Sequence, residues 1–193
     1  MTSFKQKHKG FTLVEMLISV GIFAAISAII LANYPEFRSR SSLDNLTAQI
    51  AIIFREAQVY GISVREEGNS DFNIGYGVHI DIEDNTELII FADKDKDFLF
   101  DDDTDSVLET FELKGGETIG ELCAPSCVGD ETQQPVLADS VTAVFIRPNP
   151  DTYFSVNDTY DAGLPSFSLK VLNRSGSYWR YVEVYTTGQI SVR

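Results

Sequence analysis

The spacing of hydrophobic positions along this chain changes twice. Through residues 11–32 they are continuous, FTLVEMLISVGIFAAISAIILA, broken by a single charge, Glu15. At about 1.5 Å per residue a helix of this length reaches about 33 Å, enough to cross a bilayer core. Beyond Pro35 the apolar residues thin to three- and four-residue steps: Leu43, Leu46, Ile50, Ile53, Phe54, Ala57 and Tyr60, with Gln49, Arg55, Glu56 and Gln58 on the other side. That spacing predicts an amphipathic helix ending near residues 61–65. Pro35 brings no N–H and is expected to kink the helix, freeing the Leu31 carbonyl.

From Gly75 the period becomes two. Val78, Ile80 and Ile82 alternate with His79 and Asp81, and residues 88–92 form a short apolar run. Further strands are expected at 107–113, 141–147, 166–172, 179–185 and 189–192, separated by turn residues such as Asp84-Asn85, Gly115-Gly116 and Ser175-Gly176. Residues 114–140 and 148–165 read as long loops. A helix followed by six or seven mostly antiparallel strands is α+β. The expected fold is a long N-terminal helix, membrane-spanning in its first half and amphipathic in its second, packed on an antiparallel sheet or sandwich head.

Charge narrows the function. The chain carries 29 acidic and 15 basic residues, a net charge of -14. Nucleic-acid binding needs clustered Lys and Arg and is not expected. The few C-terminal bases are Lys170, Arg174, Arg180 and Arg193. The apolar span is preceded by Lys5, Lys7 and Lys9 with no acid, which places that flank in the cytoplasm and the rest of the chain outside. A secretory signal peptide fits badly, because its nearest small-residue cut, Ala25-Ile26-Ser27, lies inside the apolar run. Neither a signal peptide nor a plain anchor accounts for Glu15, since a carboxylate in hydrocarbon costs several kcal/mol and marks a partner or a function.

The segment KGFTLVEMLISVGI resembles the N-terminal signal of type IV prepilins and pseudopilins: a basic leader ending in Gly10, Phe11 next, Glu15 four residues on, and an apolar helix beyond. The resemblance implies cleavage by a prepilin peptidase between Gly10 and Phe11 and N-methylation of Phe11. It also implies a role for Glu15 in meeting the N-terminal ammonium of a neighbouring subunit. The resulting organisation is a leader (1–10), a transmembrane and filament-core helix (11–32), its amphipathic continuation containing Pro35 (33–65) and a β-rich extracytoplasmic head (66–193). Loss of the three leader lysines leaves 12 basic and 29 acidic residues, net -17. The ending SFSLKVL…YWRYVEVYTTGQISV is similar to that of H-type minor pseudopilins of type II secretion and FimT-like minor pilins. Together these resemblances imply a structural subunit of the inner membrane rather than an enzyme, whose partners are other pilin or pseudopilin subunits, the prepilin peptidase and an inner-membrane assembly platform. The rival readings are a DNA-uptake or adhesive minor pilin, and a membrane-anchored calcium-binding domain.

Two further features carry chemistry. Between Asp93 and Asp105 lie seven Asp and two Lys. Asp93, Asp95 and Asp97 have the one-three-five spacing of a calcium loop, the Leu99 carbonyl falls at the seventh position and Asp101 at the ninth. Phe98 stands where that loop wants Gly and Thr104 where it wants Glu, leaving Asp105 or Glu109 to close the site. Ca²⁺ is the cofactor this pattern suggests. The other reading is a solvated Asp-rich hairpin, mobile through its own repulsion if no cation binds. Cys123 and Cys127 sit in an extracytoplasmic Cys-Ala-Pro-Ser-Cys, read as a tight disulfide, as two free thiols, or as a metal or redox pair, which their spacing does not suit. His79 is expected on the strand face turned away from the core, at the surface.

Overall fold

The computed structural model describes residues 10–63, 74–128 and 135–193. The leader up to residue 9 and the expected start of the head, residues 66–73, lie outside the described residues.

The chain divides into two compact units, Met1–Arg38 and Ser39–Arg193. A single helix, α1 (Leu13–Ile62), contributes to both and continues as helix on either side of Pro35. In the first unit, Leu13–Ala32 is long and apolar enough to cross a membrane, and none of it is buried within the protein. Its apolar side chains are exposed all round, among them Val14, Leu17, Phe23 and Ile30. Covering each such side chain is worth about 1.5–3 kcal/mol, so this helix needs lipid or other helices around it.

The second unit is built differently because its helical stripe is one-sided. Leu43, Leu46, Ile50, Ile53, Phe54 and Ala57 are buried, as their spacing predicts, while Ile52, Arg55 and Val59 are exposed. The stripe packs into one core with two antiparallel sheets. The first comprises β1 (Gly75–Asp81), β2 (Glu87–Asp93), β3 (Ser106–Glu112), β6 (Ser140–Phe145), β7 (Thr152–Val156) and β8 (Thr159–Tyr160), in the order β3-β2-β1-β6-β7-β8. The second comprises β4 (Thr118–Ala124), β5 (Val136–Ala138), β9 (Ser166–Leu172), β10 (Trp179–Tyr185) and β11 (Ile190–Val192), in the order β11-β10-β9-β4-β5. Phe54 meets Phe167 of β9 edge to face at 5.8 Å, and Phe167 meets Phe154 of β7 at 5.4 Å, so one aromatic chain joins the helix to both sheets. Polar ties flank it: Arg180 Nε to Asp44 Oδ1 at 2.8 Å and Asn173 Nδ2 to Ser39 Oγ at 2.8 Å. Near its C-terminal end α1 comes so close to β6 that a Cβ on Gly61 would lie 2.3 Å from the Phe145 carbonyl oxygen. Only glycine fits there.

The stretches expected to be loops hold four strands. In β4 the alternation is interrupted by Gly120 and by a register shift between Ile119 and Glu121. β5 is three residues long and β8 two. β7 lies between Pro150 and the Asn157-Asp158 turn, whose residues both have positive φ. Short strands framed by turn residues give little periodic signal.

Candidate functional site

At the N-terminus the helix begins at Leu13, just after the expected cut. Thr12 is its cap: its Oγ1 accepts from the Glu15 N–H at 3.2 Å, and its carbonyl accepts from the Met16 N–H. Thr12-Leu13-Val14-Glu15 is the start signal of a capping box, a cue the hydrophobic pattern alone does not raise. Glu15 thus occupies the first turn, where the helix dipole favours a negative side chain. Gly10, Phe11 and Thr12 precede the helix, and Phe11 is 82% exposed.

In the head, the acidic loop follows β2. The carboxylates of Asp93, Asp95 and Asp97 converge, with one oxygen of each within 4.8 Å of the others. Asp93 is buried and accepts from the N–H of Lys96 (2.7 Å) and of Phe98 (3.2 Å). Burial pushes its pKa up to about 6. The two amide donors pull it down, and the neighbouring Asp105 and Asp97 add to the rise. Asp101 and Asp105 lie outside the converging group. Asp105 instead closes the base of the loop, accepting from the N–H of Lys94 (3.0 Å) and of Asp101 (3.1 Å). Its pKa is also raised, first by burial.

The objection to Phe98 at the glycine position has a structural answer. Phe98 adopts the left-handed conformation, φ 66°, that the position asks of glycine. Its ring holds it there, stacked on Tyr153 at 4.7 Å and against Tyr160 at 5.1 Å, while its carbonyl accepts from Ser155 Oγ at 2.7 Å. Phe100 packs on Phe91 and on the His79 ring. The loop is therefore packed against the sheet through its aromatics.

The reading of His79 as a plain surface residue is corrected. It does face away from the core, but Phe100 covers it and its Nδ1 hydrogen-bonds Thr142 Oγ1 at 2.8 Å. Desolvation lowers its pKa, against the opposing pull of Asp81, Asp158 and Asp102. A histidine with a lowered folded-state pKa stabilises fully above its unfolded pKa of about 6.5 and loses that contribution as pH falls towards the folded value. Between pH 7.5 and 5.5 the parent is expected to lose more stability in urea than His79→Gln. Parallel losses would mean that the cover over His79 has no energetic weight.

Cys123 and Cys127 form a disulfide, as the first of those readings expects. It shapes a turn whose Cys127 N–H donates to Ser168 Oγ, and whose Ser126 Oγ donates to the buried Glu183 at 2.6 Å. Glu183 also pairs with Arg193 Nε at 3.0 Å, so one carboxylate ties this turn to the C-terminal residue. Lys170 pairs with Glu121 and Arg180 with Asp44. Three of the four C-terminal bases are thus already neutralised, which counts against phosphate capture.

Residues 5–31 match the prokaryotic N-terminal methylation motif. No curated protein and no solved structure matches the chain. The match identifies a type IV prepilin-like leader, and the exposed apolar helix that follows fits a single-pass membrane anchor ahead of the β-sheet head. Such a leader implies processing by prepilin peptidase and assembly with other pilin subunits.

Proposed function

We propose that this protein is a minor pilin or pseudopilin, a structural subunit that joins a type IV pilus or type II secretion pseudopilus through its N-terminal helix. The observation that carries the reading is the methylation motif over residues 5–31, which includes Glu15, the one charge in the apolar span. A helix exposed on every side is built to leave lipid for other helices, and the inner-membrane assembly platform is where that exchange would take place. H-type or FimT-like subunits are the subclass whose C-terminal strand pattern this head resembles. Co-expression with a prepilin peptidase is expected to yield a chain beginning at N-methyl-Phe11 by intact mass, and one that co-purifies with partner pilins. A chain still beginning at Met1, or cut at Ala28, would overturn the assignment.

Within that subunit, the Asp93–Asp95–Asp97 loop is proposed as a Ca²⁺ site. Three hard carboxylate donors already converge there, and the turn needed at Phe98 is in place. Adding Ca²⁺ is expected to raise the melting temperature of the parent and not that of Asp93→Ala/Asp95→Ala. Equal melting of the parent with and without Ca²⁺ leaves only a hydrogen-bonded acidic hairpin.

A further inference from the structure

β3 is an edge strand, paired only with β2 among the described strands. Along it runs a groove of about 630 Å³, walled on one side by Ser42, Asn45 and Gln49 of α1 and on the other by Glu109 and Glu112 of β3, with Lys114 at one end. An unpaired strand edge presents backbone donors and acceptors in a row, and the facing amide and hydroxyl side chains are of the kind that bind an extended backbone. A second observation lies just behind the wall. Glu117 is only 5% exposed; its Oε1 accepts from Ser42 Oγ at 2.7 Å, and its Oε2 is buried with no hydrogen-bond partner. Leaving a buried carboxylate oxygen unmet is costly and asks for an explanation. The turn beside it, Gly115-Gly116, has positive φ at both residues, and a Cβ at Gly115 would sit 2.5 Å from that oxygen.

We propose that this groove docks an extended segment of another protein that carries Lys or Arg, adding a strand to the six-stranded sheet beyond β3. Its cations meet Glu109 on one face of the sheet or Glu112 on the other, since residues three apart on a strand point to opposite faces, and one of them reaches Glu117 when the glycine turn moves aside. Charge selects the partner. With a net charge of -14 and two glutamates on the open strand, a second copy of this chain is repelled. The same glutamates that deny the edge to an acidic strand attract a basic one. The proposal concerns the head and stands whether or not the protein enters a filament.

The test uses the full processed chain in phosphatidylcholine nanodiscs and two blocked peptides of equal charge, TKVKVKT and TKPKPKT, the second unable to pair as a strand. TKVKVKT is expected to slow amide exchange across residues 106–112 at least threefold, and TKPKPKT to leave it unchanged. Glu109→Gln/Glu112→Gln is expected to weaken TKVKVKT at least fivefold. Asp102→Asn/Asp103→Asn, which removes the same charge from the acidic loop, is expected to change its affinity less than twofold. Glu117→Gln is expected to weaken it as well; should that variant unfold, the double variant still decides. Equal binding of both peptides, or protection that falls on residues 93–105 instead, overturns the proposal.

Discussion

Glu15→Ala is expected to stay in the membrane and to disappear from filaments. The two effects have opposite signs. A carboxylate costs about 2.5–3.5 kcal/mol at the centre of a spanning helix on translocon scales and less near its end, where Glu15 stands, so its removal makes insertion modestly easier. The helix itself survives, because Thr12 still caps it through its own hydroxyl and carbonyl. The lost helix-dipole contribution is small, about 0.3–1 kcal/mol at an exposed first turn. In a filament the proposed partner of Glu15 is the ammonium of a neighbour, and breaking a buried pair by removing one member typically costs about 3–5 kcal/mol. That corresponds to a loss of at least a hundredfold in the assembly equilibrium. Membrane fractionation beside co-purification with partner pilins reads both effects. If Glu15→Ala assembles like the parent, the carboxylate has no role in assembly.

Phe54→Ala carries the largest expected effect on the head. Phe54 is fully buried and begins the aromatic chain through Phe167 to Phe154. Truncating a buried Phe costs about 3–5 kcal/mol, from lost transfer energy plus the cavity left behind. For a domain of this size that lowers the melting temperature by roughly 6–20 °C. Phe37→Ala is the control: Phe37 is 70% exposed in the other unit and should leave the melting of the head unchanged. Similar melting of the parent and Phe54→Ala would mean that α1 is not part of the core.

The elements readable from sequence are those whose environment is local. The helical stripe from Leu43 to Ala57 was legible because one face meets the core and the other does not. β1, β9 and β10 were legible because seven residues give several alternations each. β4 was not, since a glycine and a bulge break its period at Gly120. The acidic loop shows the limit on the site side. Spacing brought Asp93, Asp95 and Asp97 together, but it did not show that Asp105 accepts backbone amides on both oxygens at the base of the loop, as Asp93 does nearer the turn. Nothing local says that Phe98 will lie on Tyr153, 55 residues later in the chain, or that Phe100 will cover His79. Those contacts depend on strand order, which no single segment encodes.

Thr12 has a consequence for timing. A peptidase grips extended backbone, and a bond already wound into a helix resists it. By capping the helix at Leu13, Thr12 leaves the Gly10–Phe11 bond outside the wound segment while the next residues are already rigid. Were the chain cut at the proposed Gly10–Phe11 bond, the cap would act as a ruler, fixing how far that bond stands from the start of the apolar helix. A change at Thr12 that let the helix start earlier or fray later would shift the cut bond relative to that helix without touching either residue of the cut itself.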